Sequence, residues 1–87
     1  MTVEGLAFVV VTHDSCEDLL ACLDTVTGDV SEIVVVDSGS RDDCLRRVGA
    51  RHPGVEVLRL ANVGFGQAAN AGVARTTSDV IVVANAD

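Results

Sequence analysis

The stretch Glu32-Ile33-Val34-Val35-Val36-Asp37-Ser38-Gly39-Ser40-Arg41-Asp42 decides the fold. Four consecutive β-branched residues without polar alternation suit a strand buried on both faces of a parallel sheet. The run stops at a carboxylate followed by a Ser-Gly-Ser turn, so polar groups collect at its carboxyl end. Working outward, Ala7–Thr12 and Val80–Ala84 repeat the near-continuous apolar pattern and predict two more buried strands. Val55–Leu60 alternates through Glu56 and Arg59, which places it nearer a sheet edge.

Helical spacing fills the gaps. Between the first two strands, Cys16, Leu19, Leu20, Leu23 and Val26 form one apolar stripe. Asp14 or Ser15 is placed to cap that helix, with Glu17 and Asp18 in its first turn, where the helix dipole favours carboxylates. A second, weaker helix runs from Asp42 to Arg51 and is stopped by Pro53. A third, Ala-rich, spans about Gln67 to Arg75. The order is β-α-β-α-β-α-β, an α/β fold whose connections fit right-handed crossovers onto a parallel sheet. The 87 residues hold one small domain at most. A parallel sheet needs cover on both faces, and nothing helical follows the fourth strand, so the chain reads as the first half of a larger domain.

Charge narrows the partners. The chain has thirteen acids and six bases, a net charge of −7, and every base is Arg. Residues 1–43 hold ten acids and one base; residues 44–87 hold three acids and five bases. Such a chain lacks the basic footprint of a nucleic-acid binder, so no nucleic-acid partner is expected. An anion is still accessible through a metal ion or backbone N–H groups. The longest apolar run, Leu6–Val11, is too short to span a bilayer, and Glu4 stands where a signal peptide wants positive charge. The expectation is a cytoplasmic protein with no transmembrane segment in this chain. Cys16, Cys22 and Cys44 lack zinc-site spacing, and the expectation is reduced thiols filling gaps in the core.

In open parallel sheets, ligands bind beyond the carboxyl ends of the strands. Four polar segments fall there: Thr12-His13-Asp14, Asp37 to Ser40, Asn62 to Gly66, and Asn85-Ala86-Asp87. Any one of them alone reads as turn or cap residues. Gly64 and Gly66 permit close backbone approach to a ligand, but lack a third glycine and follow the third strand, so they are no dinucleotide fingerprint. A P-loop is excluded, because the chain has no Lys. The same absence excludes an acidic phosphate-receiver domain.

Taken in order, Val9-Val10-Val11-Thr12-His13-Asp14-Ser15, Glu32–Asp42, Asn62–Gly72 and Asp79–Asp87 resemble the N-terminal nucleotide-binding half of family 2 glycosyltransferases. The likeness covers about Leu6 to Asp87, and Asn62–Gly66 followed by Asn70 resembles the branch with rhamnosyl- and galactofuranosyl-type enzymes. It implies a Rossmann-like half of a GT-A domain, residues 1–87 forming the donor-binding half and the acceptor half absent. It further implies a hexosyl-transfer enzyme of cell-wall or polysaccharide biosynthesis, cytoplasmic or membrane-peripheral in the complete protein, the 87 residues alone being inactive. The donor would be a nucleotide-diphosphate sugar, and the acceptor hydroxyl would belong to a glycan, lipid or protein.

By the same resemblance, Thr12, His13, Asp37, Asn62, Gly64, Phe65, Gly66 and Asn70 bind the nucleotide and its sugar-phosphate. Asn85 and Asp87 stand at the family's metal motif, for Mg²⁺ or Mn²⁺ bridging the diphosphate. A hard cation there would offset charge that builds on the leaving group. The inverting reaction needs a carboxylate base, which the resemblance puts beyond residue 87. Ser40 and Asp42 read as loop and helix caps, and Phe65 reads equally as a core residue. An alternative for the whole chain is a non-catalytic nucleotide-binding or protein-interaction module, a degenerate transferase remnant.

Overall fold

The computed structural model describes residues 3–26, 28 and 30–86. Seven elements alternate along the chain: β1 (Val3–Thr12), α1 (Cys16–Val26), β2 (Val30–Ser38), α2 (Cys44–Arg51), β3 (Glu56–Leu60), α3 (Phe65–Val73) and β4 (Val80–Asn85). The strands form one sheet in the order β3-β2-β1-β4. All three pairings are parallel.

The topology follows from handedness. From β1 to β2 to β3 the chain steps one way across the sheet, and right-handed crossovers put α1 and α2 on one face. The step from β3 back past β1 to β4 runs the other way, so the same handedness puts α3 on the opposite face. Side-chain alternation sorts the core accordingly. Phe8, Val10 and Val35 pack with Cys16, Leu19, Leu20 and Leu23 of α1 and with Cys44 and Val48 of α2. Val9, Val11, Val34 and Val36 pack with Ala68 and Ala69 of α3.

Helix α3 lies unusually low on the sheet. A Cβ placed on Gly72 would come within 2.5 Å of Val9 Cγ1 and 2.8 Å of Val36 Cγ2. The Ala-rich composition of this helix is what permits that approach. It also starts two residues earlier than the spacing predicts, so Phe65 and Gly66 belong to its first turn.

Two expectations need correction. Strand β4 is not buried on both faces: it is an edge strand, with Val80, Val82 and Val83 exposed at 58%, 45% and 40%. Its apolar sequence marks it for burial, but among the described residues only β1 flanks it, and α3 packs mainly on β1 and β2. Nor are the cysteines all reduced. Cys16 and Cys44 form a disulfide joining the first residues of α1 and α2, with Cα atoms 5.4 Å apart. Cys22 is the free thiol, and burial pushes its pKa up. The alternating β3 does lie at an edge, as its pattern predicts.

Candidate functional site

The loops after β1, β2 and β3 interlock at the carboxyl end of the sheet. His13 Nδ1 donates to the Ser38 carbonyl at 2.5 Å, which fixes the ring orientation, since a carbonyl only accepts. Asp14 takes a positive φ of 49°, rare for a residue with a side chain. That turn lets its N–H donate to Ser40 Oγ at 2.9 Å while its Oδ1 accepts from the Arg41 N–H at 2.9 Å. Ser38 then reaches the third loop: the Val63 N–H donates to its Oγ at 3.3 Å, and Asn62 Oδ1 lies at 3.5 Å. Gly39 has φ +74°, and a Cβ there would strike Asn62 N at 2.9 Å. Only glycine permits this contact between the two loops.

Inside this cradle lie two polar side chains without protein partners. Thr12 and Asp37 are register partners at the ends of β1 and β2, each 1% exposed. Thr12 Oγ1 and both Asp37 carboxylate oxygens make no hydrogen bond. Alternation from Val10 and Val35 puts both on the α1/α2 face. Buried carboxylates are normally paired, because leaving one unpaired costs several kcal/mol, on the order of a lost charged hydrogen bond or more. The pair therefore gains nothing from protein hydrogen bonds, and its three oxygens are chemically suited to a ligand's donor groups.

The remaining residues lie at the same end of the sheet, those of α3 on the opposite face from Thr12 and Asp37. Phe65 is 45% exposed at the start of α3, which overturns the core reading of that side chain. Asn62, Gly64 and Gly66 are exposed beside it, and Asn70 is exposed one turn further along the helix. Asn85 ends β4 opposite Val11, and the following Ala86 N–H donates to the Val11 carbonyl at 2.9 Å. Asp87 lies outside the described residues. Among the described residues no group of three or more His, Cys, Asp or Glu side chains is placed to hold a metal ion. Ser40 and Asp42 act within the loops as predicted, Asp42 Oδ1 accepting from the Cys44 N–H at 3.1 Å.

Sequence reasoning missed Ser38 and Gly39 as the joint between the second and third loops. The motif places them correctly, but only the fold shows that Asn62 comes to rest on them. It also missed the Cys16–Cys44 bond, since that pair meets through the parallel placement of two helices. A cleft of about 390 Å³ opens over Cys16, lined also by Asp14, Ser15, Glu17, Asp18, Asp42 and Arg47. Arg47 Nη2 crosses it to Glu17 Oε1 at 2.8 Å, and this bond raises the Arg47 pKa. A second cleft, about 330 Å³, lies at the amino ends of β2 and β3 beside His52 and Pro53, away from all of these loops.

The chain matches the family described as "Glycosyl transferase family 2" over residues 7–87. It belongs to that family, and its four-stranded parallel sheet with three helices is a Rossmann-like half of the GT-A fold. No curated protein matches the chain at a significant level. Among the described residues no helix is long and apolar enough to cross a membrane.

Proposed function

We propose that this chain carries the sugar-nucleotide donor site of a hexosyl-transferring enzyme. One observation carries the reading: Thr12 and Asp37 present three buried, unpartnered oxygens at the carboxyl end of a parallel sheet, in a chain of glycosyltransferase family 2. Asp37 accepts from a nucleobase N–H or a ribose hydroxyl, and the Thr12 hydroxyl adds a second contact. His13, its ring fixed by Ser38, presents an aromatic edge beside them. Asn62, the Gly64-Phe65-Gly66 turn and Asn70 close over the ribose and diphosphate, with the α3 N–H groups turned toward phosphate charge.

A divalent cation, Mg²⁺ or Mn²⁺, would supply positive charge to the diphosphate, held by Asp87 with the Asn85 amide oxygen. A hard oxygen ligand such as Asn85 suits such an ion, and Mg²⁺ takes few protein carboxylates. Transfer to the acceptor hydroxyl with inversion belongs to the complete protein, with its base supplied beyond residue 87. The Asn62–Gly66 loop with Asn70 supports a donor of the rhamnosyl or galactofuranosyl kind.

An amide-correlation NMR titration with UDP and dTDP, each with Mg²⁺ and with chelator, tests this reading. Shifts at Asp37, Gly64–Gly66 and Asn85 that need the metal support it. Dispersed spectra that ignore both nucleotides with the Cys16–Cys44 bond reduced as well as intact sink it. The exposed valines of β4 favour a second reading, a protein-interaction module. That reading predicts no nucleotide response and a change in β4 amides on adding a partner protein.

A further inference from the structure

The cysteine pair and the unpartnered oxygens share one face of the sheet. Cys16 and Cys44 belong to the cluster that holds Val10 and Val35, and Thr12 and Asp37 lie two residues beyond those valines on the same side. Cys16 opens α1 four residues after Thr12, and Cys44 opens α2 seven residues after Asp37. The bond thus ties together two helix starts on the face of the sheet to which the pair belongs. With them tied, Asp37 is 1% exposed and no ligand group reaches its oxygens. Other ties join the same elements: the part-buried His13–Ser38 carbonyl bond, the exposed Asp14 contacts to Ser40 and Arg41, the Arg47–Glu17 ion pair, and Asp24 with Arg51 and His52 further along the helices; the Cys16–Cys44 bond is the covalent one.

We propose that Cys16 and Cys44 form a reversible dithiol–disulfide couple that gates the Thr12–Asp37 pocket: closed when bonded, open when reduced. Its consequence for catalysis rests on the donor-site reading; the opening itself does not. Cys16 lines the solvent cleft and is 8% exposed against 2% for Cys44, so the more accessible sulfur, that of Cys16, is the one attacked. A thiolate of a dithiol reductant attacks Cys16 Sγ, the Cys16–Cys44 bond breaks, and Cys44 leaves as a thiolate that takes up a proton. The reductant's second thiolate then resolves the mixed disulfide, closes its own disulfide and frees Cys16. Two electrons pass from the reductant to the protein. The reverse reaction consumes a small-molecule disulfide. Asp14, Glu17, Asp18 and Asp42 line the cleft against the single Arg47, so a cationic disulfide is drawn in and an anionic one repelled. A reducing compartment keeps the gate open, and oxidation shuts it.

The test compares the bonded chain, the chain reduced with a dithiol, and the Cys16→Ser/Cys44→Ser double variant. Amide hydrogen exchange is read at residues 12–16 and 37–44, with Val34–Val36 as the core reference. Local exchange accelerated about tenfold or more beyond any acceleration of the core reference, in both the reduced chain and the double variant, is the expected result. Re-oxidation by cystamine should restore the slow exchange, and faster than oxidation by glutathione disulfide. UDP or dTDP with Mg²⁺ should bind the reduced chain about tenfold or more tightly than the bonded one. Unchanged local exchange on reduction overturns the gate, and so does equal acceleration of the core, which would make the bond a plain structural staple. Absence of nucleotide binding in every form, with local opening present, defeats the donor reading and leaves the gate standing.

Discussion

Asp37 sets stability against function at the scale of a single side chain. Its carboxylate is buried and unpartnered, so replacing it with a neutral isostere removes a desolvation penalty without creating a cavity. Asp37→Asn should leave the thermal midpoint unchanged or raised while weakening nucleotide binding at least about tenfold, or roughly 1.4 kcal/mol. Paired thermal unfolding and titration check this, and a lowered midpoint would show that the carboxylate has a structural partner. Gly72 makes the opposite kind of prediction. Ala there would push into Val9 and Val36, and overpacking of this kind costs about 1–3 kcal/mol, read by denaturant unfolding. Asp37 was legible in the sequence because a strand ending in a carboxylate is a local pattern. The role of Gly72 was not, since it depends on how closely α3 settles on two strands that the sequence shows only separately.

Elements are joined here by a few cross-links that the sequence pattern hides. Glu32 on β2 accepts the N–H and hydroxyl hydrogens of Thr77 and Ser78, which lie between α3 and β4. The Ser78 hydroxyl is the largest cause holding the Glu32 pKa below its ordinary value. A depressed carboxylate stabilises the folded chain fully above its unfolded value, about 4.3, and loses that contribution as pH falls through the lower folded value. Stability should therefore drop on acidification below about pH 4.3, and Glu32→Gln should flatten that limb, as pH-dependent chemical denaturation would show. The Cys16–Cys44 bond closes a loop of sequence separation 28, and a cross-link of that span is worth about 3–4 kcal/mol on the chain-entropy account. Reduction should lower the unfolding midpoint accordingly. Strand and helix identities were readable because runs of β-branched residues and a helical leucine stripe are periodic signals. The pairings of Glu32 and of Cys16 were not, because each partner sits on a separate element and meets the other only after the crossovers are made.

For the whole molecule, the sheet order places apolar surface where the sequence predicts a buried strand. β4 exposes Val80 and Val82 along an edge strand, and such edges invite pairing with another chain. Sedimentation at rising concentration should show self-association, and Val82→Lys should suppress it without altering the fold. The parallel order, the helix count and the family likeness were all legible from four ordered motifs. The position of β4 was not, since a run of valines reads alike at the centre and at the edge of a sheet.

The order β3-β2-β1-β4 also has a bearing on how the chain comes to be folded. Among the described strands, β1 precedes the others yet lies inside the sheet, and its outer neighbour β4 follows them. The α3 helix that covers Val9 and Val11 is likewise made late. During synthesis these valines stay bare until α3 has emerged, and contacts so distant in sequence form slowly. A nascent chain is then prone to aggregation in the interval before α3 and β4 have emerged.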